Sequence, residues 1–371
     1  MSRSEVAAAA VVVACLLAGQ AGAVSFDSQV IDPNGPSRVW GKGAGDLDGD
    51  GLADAIVGSY DGGLYWYKNP GWSKRTISAK AHIEEDIDVV DLDGDGRQDV
   101  VAVTTGGVTW FHNKPAGWHA HVLVSGLDLH DIAVSDLDRD GLRDIVGRGQ
   151  GAAGNKLYLW RQRSLTSWSR TVIDLPGGGE GLGVRDLDRN GYADVVVGRY
   201  WLRNLSTPGS LRFTRHTYNP AAAANAYVAI GDINRDGRID IVTSPAEPNG
   251  ERYRISWFEA PADPTDGPWR EHVIQDNVET VHHFVGVVDA DLDGDLDVFS
   301  ALPHLGDSPK IKLFVNRDGK GGFGAPRILA YTSSHSMKFL RVGQDAGLSL
   351  FGADYGNQGR TPIRLLRWRP Q

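Results

Sequence analysis

The stretch Asp46-Leu47-Asp48-Gly49-Asp50-Gly51-Leu52-Ala53-Asp54 decides the architecture, because it returns five more times, starting at Asp91, Asp136, Asp186, Asp232 and Asp289. Successive copies lie 45 to 57 residues apart, room for four short strands and their turns. A degenerate seventh copy at 342–350 keeps Gly347 and an apolar tail but has lost nearly all its acids.

The surroundings of each copy repeat as well. After the acids comes a β-branched run, such as Asp99 to Val103 or Asp240 to Thr243. An aromatic segment follows, such as Leu64-Tyr65-Trp66-Tyr67 or Val108-Thr109-Trp110-Phe111, and then one opened by an aromatic residue, such as Trp72 to Ile77. Alternation and β-branched content predict strands, and no amphipathic helix of useful length is visible. Phe26 to Ile31 has the spacing of a fourth strand but precedes the first copy, whereas Ile363 to Trp368 reads as a third strand with nothing after it. Pairing the two completes a blade and leaves no open edge at the seam. The expected fold is all-β: a seven-bladed propeller of four-stranded blades, closed by the N-terminal strand on the C-terminal blade.

Acids at positions 1, 3, 5 and 9 of one tight turn, with Gly at 6 to reverse the backbone, offer the hard oxygen ligands that Ca²⁺ prefers. The expected ligands are Asp46, Asp48, Asp50 and Asp54 in the first loop, then Asp91, Asp93, Asp95 and Asp99, then Asp136, Asp138, Asp140 and Asp144. The last three loops supply Asp186, Asp188, Asn190 and Asp194, then Asp232, Asn234, Asp236 and Asp240, then Asp289, Asp291, Asp293 and Asp297. An EF-hand would close with Glu at position 12 on a helix; here Asp at position 9 leads into a strand. Six structural Ca²⁺ ions would move the formal charge from −9 to +3 and contribute their binding free energy to folding.

Such loops before a hydrophobic strand resemble the FG-GAP/VCBS repeats of integrin α-subunit heads and many exported microbial proteins. The resemblance covers essentially all of the chain after its first segment. It implies the propeller and its Ca²⁺, but not one function, since adhesion modules, lectins and polysaccharide lyases share the repeat. The Trp-Tyr-x-Asn-Pro pattern starting at Trp66, running on to Ile77, is also similar to the propeller part of fungal aldos-2-ulose dehydratases, metal-dependent enzymes that eliminate from sugars.

In this family the acidic loops lie on the bottom face, so residues entering each first strand ring the top mouth. Counting six back from each first Asp gives Trp40, Glu85, His130, Glu180, Ala226, His283 and Ser336; one residue earlier lie Glu84, Asn225, His282 and His335. A chain with 11 histidines thus gathers four at one rim. Imidazoles with a carboxylate suit Zn²⁺ or another divalent ion. Alternatively, His takes the proton α to a sugar carbonyl or uronate, and Tyr227 protonates the leaving group. On this reading His130, His283, His282, His335, Glu85 and Tyr227 are catalytic, while Trp40, Glu84 and Glu180 contact a carbohydrate or oxidised sugar. A lectin-like or adhesive module with purely structural Ca²⁺ and an inert polar rim remains the alternative.

Met1 to Arg3, the apolar run Ala7 to Leu17 and Ala21-Gly22-Ala23 read as a signal peptide over residues 1–23, with the propeller over 24–371. A secreted monomer with no transmembrane segment is therefore expected. The only cysteine, Cys15, lies in that signal, so no disulfide staples the mature chain; a lipobox ending at Cys15 would instead anchor it by lipid. A formal charge of −9 disfavours nucleic acid. No Gly-x-Ser-x-Gly elbow, P-loop or His-Glu-x-x-His occurs. Asn204-Leu205-Ser206 is a glycosylation sequon.

Overall fold

A computed structural model describes residues 25–150, 154–177, 179–246, 254–278, 282–301, 309–332, 334–354 and 360–369. The segment read as a signal peptide, with Cys15, lies outside them. Twenty-eight strands form seven four-stranded antiparallel sheets, and no helix occurs among the described residues. Blade 1 is β2 (Val39–Gly45), β3 (Asp54–Ser59), β4 (Leu64–Lys68) and β5 (Ser73–Ser78); blade 2 is β6 (Ile83–Val90), β7 (Asp99–Thr104), β8 (Gly107–Lys114) and β9 (Gly117–Ser125). Blades 3 to 6 repeat the order from β10 (Leu129–Ser135) to β25 (Arg327–Ala330). Blade 7 holds β26 (Lys338–Leu340), β27 (Ser349–Ala353) and β28 (Ile363–Arg369), and β1 (Ser25–Asp32) completes it by pairing with β28 from Ser25↔Arg369 to Asp32↔Ile363. The closure expected from the chain ends is the closure observed.

The second strands explain the apolar runs in the sequence. In β3, Ala55 and Val57 pack with Val342 and Phe351 of blade 7, while Ile56 points the other way against Ile83 and Val100 of blade 2. Successive side chains face opposite neighbours, and both faces are buried. Seven such inter-blade clusters encircle the molecule, holding Trp66, Trp110, Trp160, Trp201, Trp257 and Trp368. The outer strands are exposed, as in β5, where only Ile77 is buried. The first strands meet around the axis, β2 touching both β6 and β26, β6 touching β10, and β18 (Ala226–Gly231) touching β22 (Phe284–Val288).

A polar device reinforces the ring. At the end of the third strand, Asn113 Nδ2 donates to Gln98 O in its own blade (3.0 Å) and to Leu47 O of blade 1 (2.8 Å). Asn69 reaches Arg341 O of blade 7 (2.6 Å), Asn204 reaches Leu137 O of blade 3 (2.8 Å), and Asn316 reaches Ile233 O of blade 5 (2.8 Å). In blade 7, Trp368 Nε1 donates to Ala290 O (2.8 Å). Since Asn204 is fully buried with its amide committed, the sequon offers a glycan no room in the folded chain.

The seventh loop sits one residue earlier than counting predicts. Ser349 opens β27, and its Oγ accepts from Trp368 N (3.0 Å), as the closing Asp does elsewhere. The degenerate copy therefore runs from Arg341 to Ser349. Loss of the acids had removed the marks that fix the register.

Candidate functional site

Each acidic loop is organised by its first and last carboxylates. Asp46 Oδ1 accepts from Gly49 N (2.8 Å) and Asp50 N (3.1 Å), and its Oδ2 from Gly51 N (2.7 Å). The closing Asp54, fully buried, accepts from Leu47 N (3.1 Å) and Asn69 N (2.9 Å), tying the loop to the end of the third strand. Asp99, Asp144, Asp194, Asp240 and Asp297 repeat this arrangement. Burial pushes Asp54 and Asp194 up to about 6, and Asp144, Asp240 and Asp297 up to about 7, against the pull of the amides.

The fourth loop position is left-handed. Arg139 (φ 58°) and Leu292 (φ 61°) hold it with side chains, at a cost of about 1–3 kcal/mol each. Carboxylate oxygens of Asp46, Asp48 and Asp50 lie within 4.8 Å of one another, as do those of Asp91, Asp93 and Asp99, and of Asp136, Asp138 and Asp144. These hard oxygen sets fit Ca²⁺.

The seven loops differ at one position that pattern reading passed over: the residue just before the one that donates to the closing side chain. Lys68 contacts Asp48 and lies 2.7 Å from Asp50; Arg161 contacts Asp138 (2.5 Å) and Asp140; Arg203 lies 2.5 Å from Asp188. In blade 7, Arg367 grips Asp345 through Nε (2.8 Å) and Nη2 (3.0 Å). Blades 5 and 6 place Glu259 and Val315 there, and blade 2 places His112.

At the other end of the first strands the rim residues converge. β-Bulges interrupt pairing between Val39 and Gly41, between Ile83 and Ile87, and between Leu129 and Ile132. Trp40, Glu84, Glu85, His130 and Asp131 occupy these stretches, where a bulge re-aims side chains. Glu85 Oε2 lies 3.6 Å from His130 Nε2 and 3.7 Å from His335 Nδ1, and Glu180 Oε2 lies 3.9 Å from His130 Nε2. These spacings are long for hydrogen bonds and suit ligands sharing an ion. The donor atoms of Glu85, His130 and His335 fall within 4.8 Å of one another, a set that fits Zn²⁺ or a similar divalent metal.

Tyr227 and His283 complete the circle, with ring centroids 5.6 Å apart; Tyr227 lies 6.2 Å from His130, and His283 lies 5.1 Å from His335. Trp40 rests between Tyr60 (4.6 Å) and His335 (6.1 Å). Trp40, Tyr60, Glu84, Glu85, Asp128 and Gln150 border an open cavity of about 490 Å³.

Blade 5 deviates from the count, whereas in blade 7 counting six back from the loop start at Arg341 gives His335 in place of Ser336. Tyr227 and His335 reach the mouth, whereas Ala226 is buried and Ser336 Oγ donates to Trp40 O (3.1 Å). His282 is fully buried with Nδ1 against Ser300 Oγ, and its carbonyl accepts from Ser244 Oγ (2.8 Å).

Burial pushes the Glu85 carboxyl up to about 8, against the pull of His130. Burial alone would lower His130, but Glu85, Asp131 and Glu180 outweigh it and hold the imidazole well above its usual value. Burial and the same carboxylates keep Tyr227 protonated. Three charged neighbours were not foreseen. Asp131 Oδ2 lies 3.0 Å from His130 Nδ1 and accepts from Gly181 N (2.8 Å). Lys338 Nζ pairs with Asp86 (3.1 Å). Lys42, fully buried, donates to Val39 O (2.9 Å) and Trp40 O (3.0 Å), and burial drives its ammonium down to about 7. Its placement between Gly41 and Gly43 in a first strand was the available signal.

With this geometry in hand, comparison with known proteins gives a consistent answer. Residues 46–99, 91–147 and 136–197 match the family described as FG-GAP-like repeat. The chain carries FG-GAP-like repeats. Their spans run from the first acidic loop to the second strand of blade 4, each bracketing two successive acidic loops and the strands between them. Two solved structures of BBS1N in complex with ARL6DN, one soaked with mercury and one with lead, superpose at TM-score 0.56 each. Their identity to the FG-GAP-like chain is 12% and 13%, covering 93% of it and 97% of theirs, a likeness of fold. No curated protein matches the sequence.

Proposed function

We propose that this is an exported, Ca²⁺-stabilised propeller whose axial mouth eliminates across a carbon–carbon bond of an oxidised sugar or uronate. The supporting observation is the convergence of Glu85, His130 and His335 on one point beside Tyr227 and His283. Glu85, His130 and His335 would hold a divalent metal, which supplies Lewis-acid polarisation of the sugar carbonyl or carboxylate. His283 takes the proton from the adjacent carbon, and the electron pair left there is delocalised into the carbonyl or carboxylate. That pair becomes the carbon–carbon double bond as the bond to the leaving oxygen breaks, with Tyr227 donating its phenolic proton to that oxygen. Trp40 offers an aromatic face to the sugar ring.

The test is a screen of metal-loaded protein against oxidised sugars and uronate polymers, following absorbance of a new conjugated double bond, repeated with His130→Ala and His283→Ala. Product formation lost in both variants supports the reading. Activity untouched by both discards the site, and no product from any substrate leaves a non-catalytic sugar-binding module.

A further inference from the structure

We infer that the second acidic loop is a transition-metal site of Zn²⁺ type, unlike the oxygen-only loops around it. At the position where blades 1, 3, 4 and 7 feed a lysine or arginine into their loop, blade 2 places His112, which can ligate a metal as well as carry charge. Its Nε2 lies 2.8 Å from Asp93 Oδ2 and 3.9 Å from Asp95 Oδ2. The three donor atoms fall within 4.8 Å of one another. His112 is 6% exposed, and its Nε2 makes no hydrogen bond among the described residues despite its closeness to Asp93. A buried nitrogen close to a carboxylate but misaligned for a hydrogen bond is the arrangement of two ligands facing one ion. Zn²⁺ with bonds of about 2.0–2.2 Å spaces its ligands roughly 3.3 Å apart, within the observed range.

The imidazole is held for this task. It stacks on Trp110 with centroids 4.4 Å apart and planes 17° apart, and His121 covers the other part of the same indole at 4.9 Å. Asp93 is tethered by Asp95 N, which donates to its Oδ1 (3.2 Å), leaving Oδ2 toward the imidazole. Asp95 is shared with Arg97, whose Nε donates to Asn113 O (2.8 Å). Imidazole nitrogen ranks this site for Zn²⁺, Co²⁺ or Ni²⁺ above Ca²⁺. His112 also borders a cavity of about 360 Å³ lined by Trp110, Lys114, His121, Leu165 and Trp168.

The experiment loads chelator-stripped full-length protein with Co²⁺ in excess Ca²⁺, reading Co²⁺ absorption bands and stoichiometry by calorimetry for wild type, His112→Gln and His335→Gln. The expected result is a Ca²⁺-resistant Co²⁺ equivalent that His112→Gln abolishes or weakens beyond the ~10–100-fold typical of losing an outer partner, and that His335→Gln leaves intact. Unchanged Co²⁺ number and affinity in His112→Gln overturns the inference, even if His335→Gln removes an axial ion. Loss with His112→Gln alone supports it while removing the axial metal. Should His112→Gln fail to fold, Asp95→Asn in the exposed part of the loop must weaken the same equivalent; unchanged binding there overturns the site.

Discussion

Asn113 Nδ2 donates to Leu47 O, 2.8 Å away and one blade back. Six loops of acids suggest a ring stapled by ions, yet this contact and its counterparts at Asn69, Asn204, Asn316 and Trp368 join neighbouring blades with protein atoms alone. Asn113→Ala strands the Leu47 carbonyl at a blade interface and should lower stability by about 1–3 kcal/mol. Denaturant unfolding checks this, and a shift under a few tenths of a kcal/mol removes the contact from the account of cohesion.

Chelation should lower the melting temperature, and added Ca²⁺ should restore it. Lys68 occupies oxygens that an ion in the first loop needs, so Lys68→Met should tighten Ca²⁺ binding there by about 1 kcal/mol. Calorimetric titration of variant against wild type measures the difference. Equal affinities would mean that the ammonium does not compete.

Asp345 and Arg367 set an acid limit. The hydrogen-bonded guanidinium holds the Asp345 carboxyl below its usual value despite partial burial. A depressed folded value gives stability that is present above the unfolded value of about 3.9 and disappears as pH falls through the folded one. Asp345→Asn should therefore cost a few tenths to about 1 kcal/mol at neutral pH and close to nothing near pH about 2. Melting curves at the two pH values decide it, and a gap that persists in acid assigns the loss to packing.

Tyr227→Phe removes one proton donor and little volume. If the phenol serves the leaving group, kcat should fall about 10²–10⁴-fold while KM changes little. Steady-state kinetics on any substrate found active gives the answer, and a change confined to KM would make Tyr227 a binding residue.

The legible part of this molecule was local. Asp46 to Asp54, the β-branched run of Asp99 to Val103 and the unpaired Phe26 to Ile31 carry their meaning within a few residues, and the architecture followed from them. The rest depends on partners far along the chain: Asn69 meets a carbonyl 272 positions away, and Lys338 meets a carboxylate 252 away. Nothing near either residue marks its partner. Counting back to the mouth succeeded for Glu85 and His130 but slipped at Tyr227, and at His335 only because the seventh loop, stripped of its acids, hid its start at Arg341. In blade 5 the pairing runs unbroken from Ala226 to Gly231, without the bulge that re-aims the side chains of blades 2 and 3.

The seam between β1 and β28 also fixes how the molecule answers to force. Ser25 and Arg369 face each other at one end of that ladder, so tension applied at these two points parts the rungs in succession instead of shearing them together. Pulled this way, the circle opens like a zip fastener at its own join, before any blade is asked to unfold.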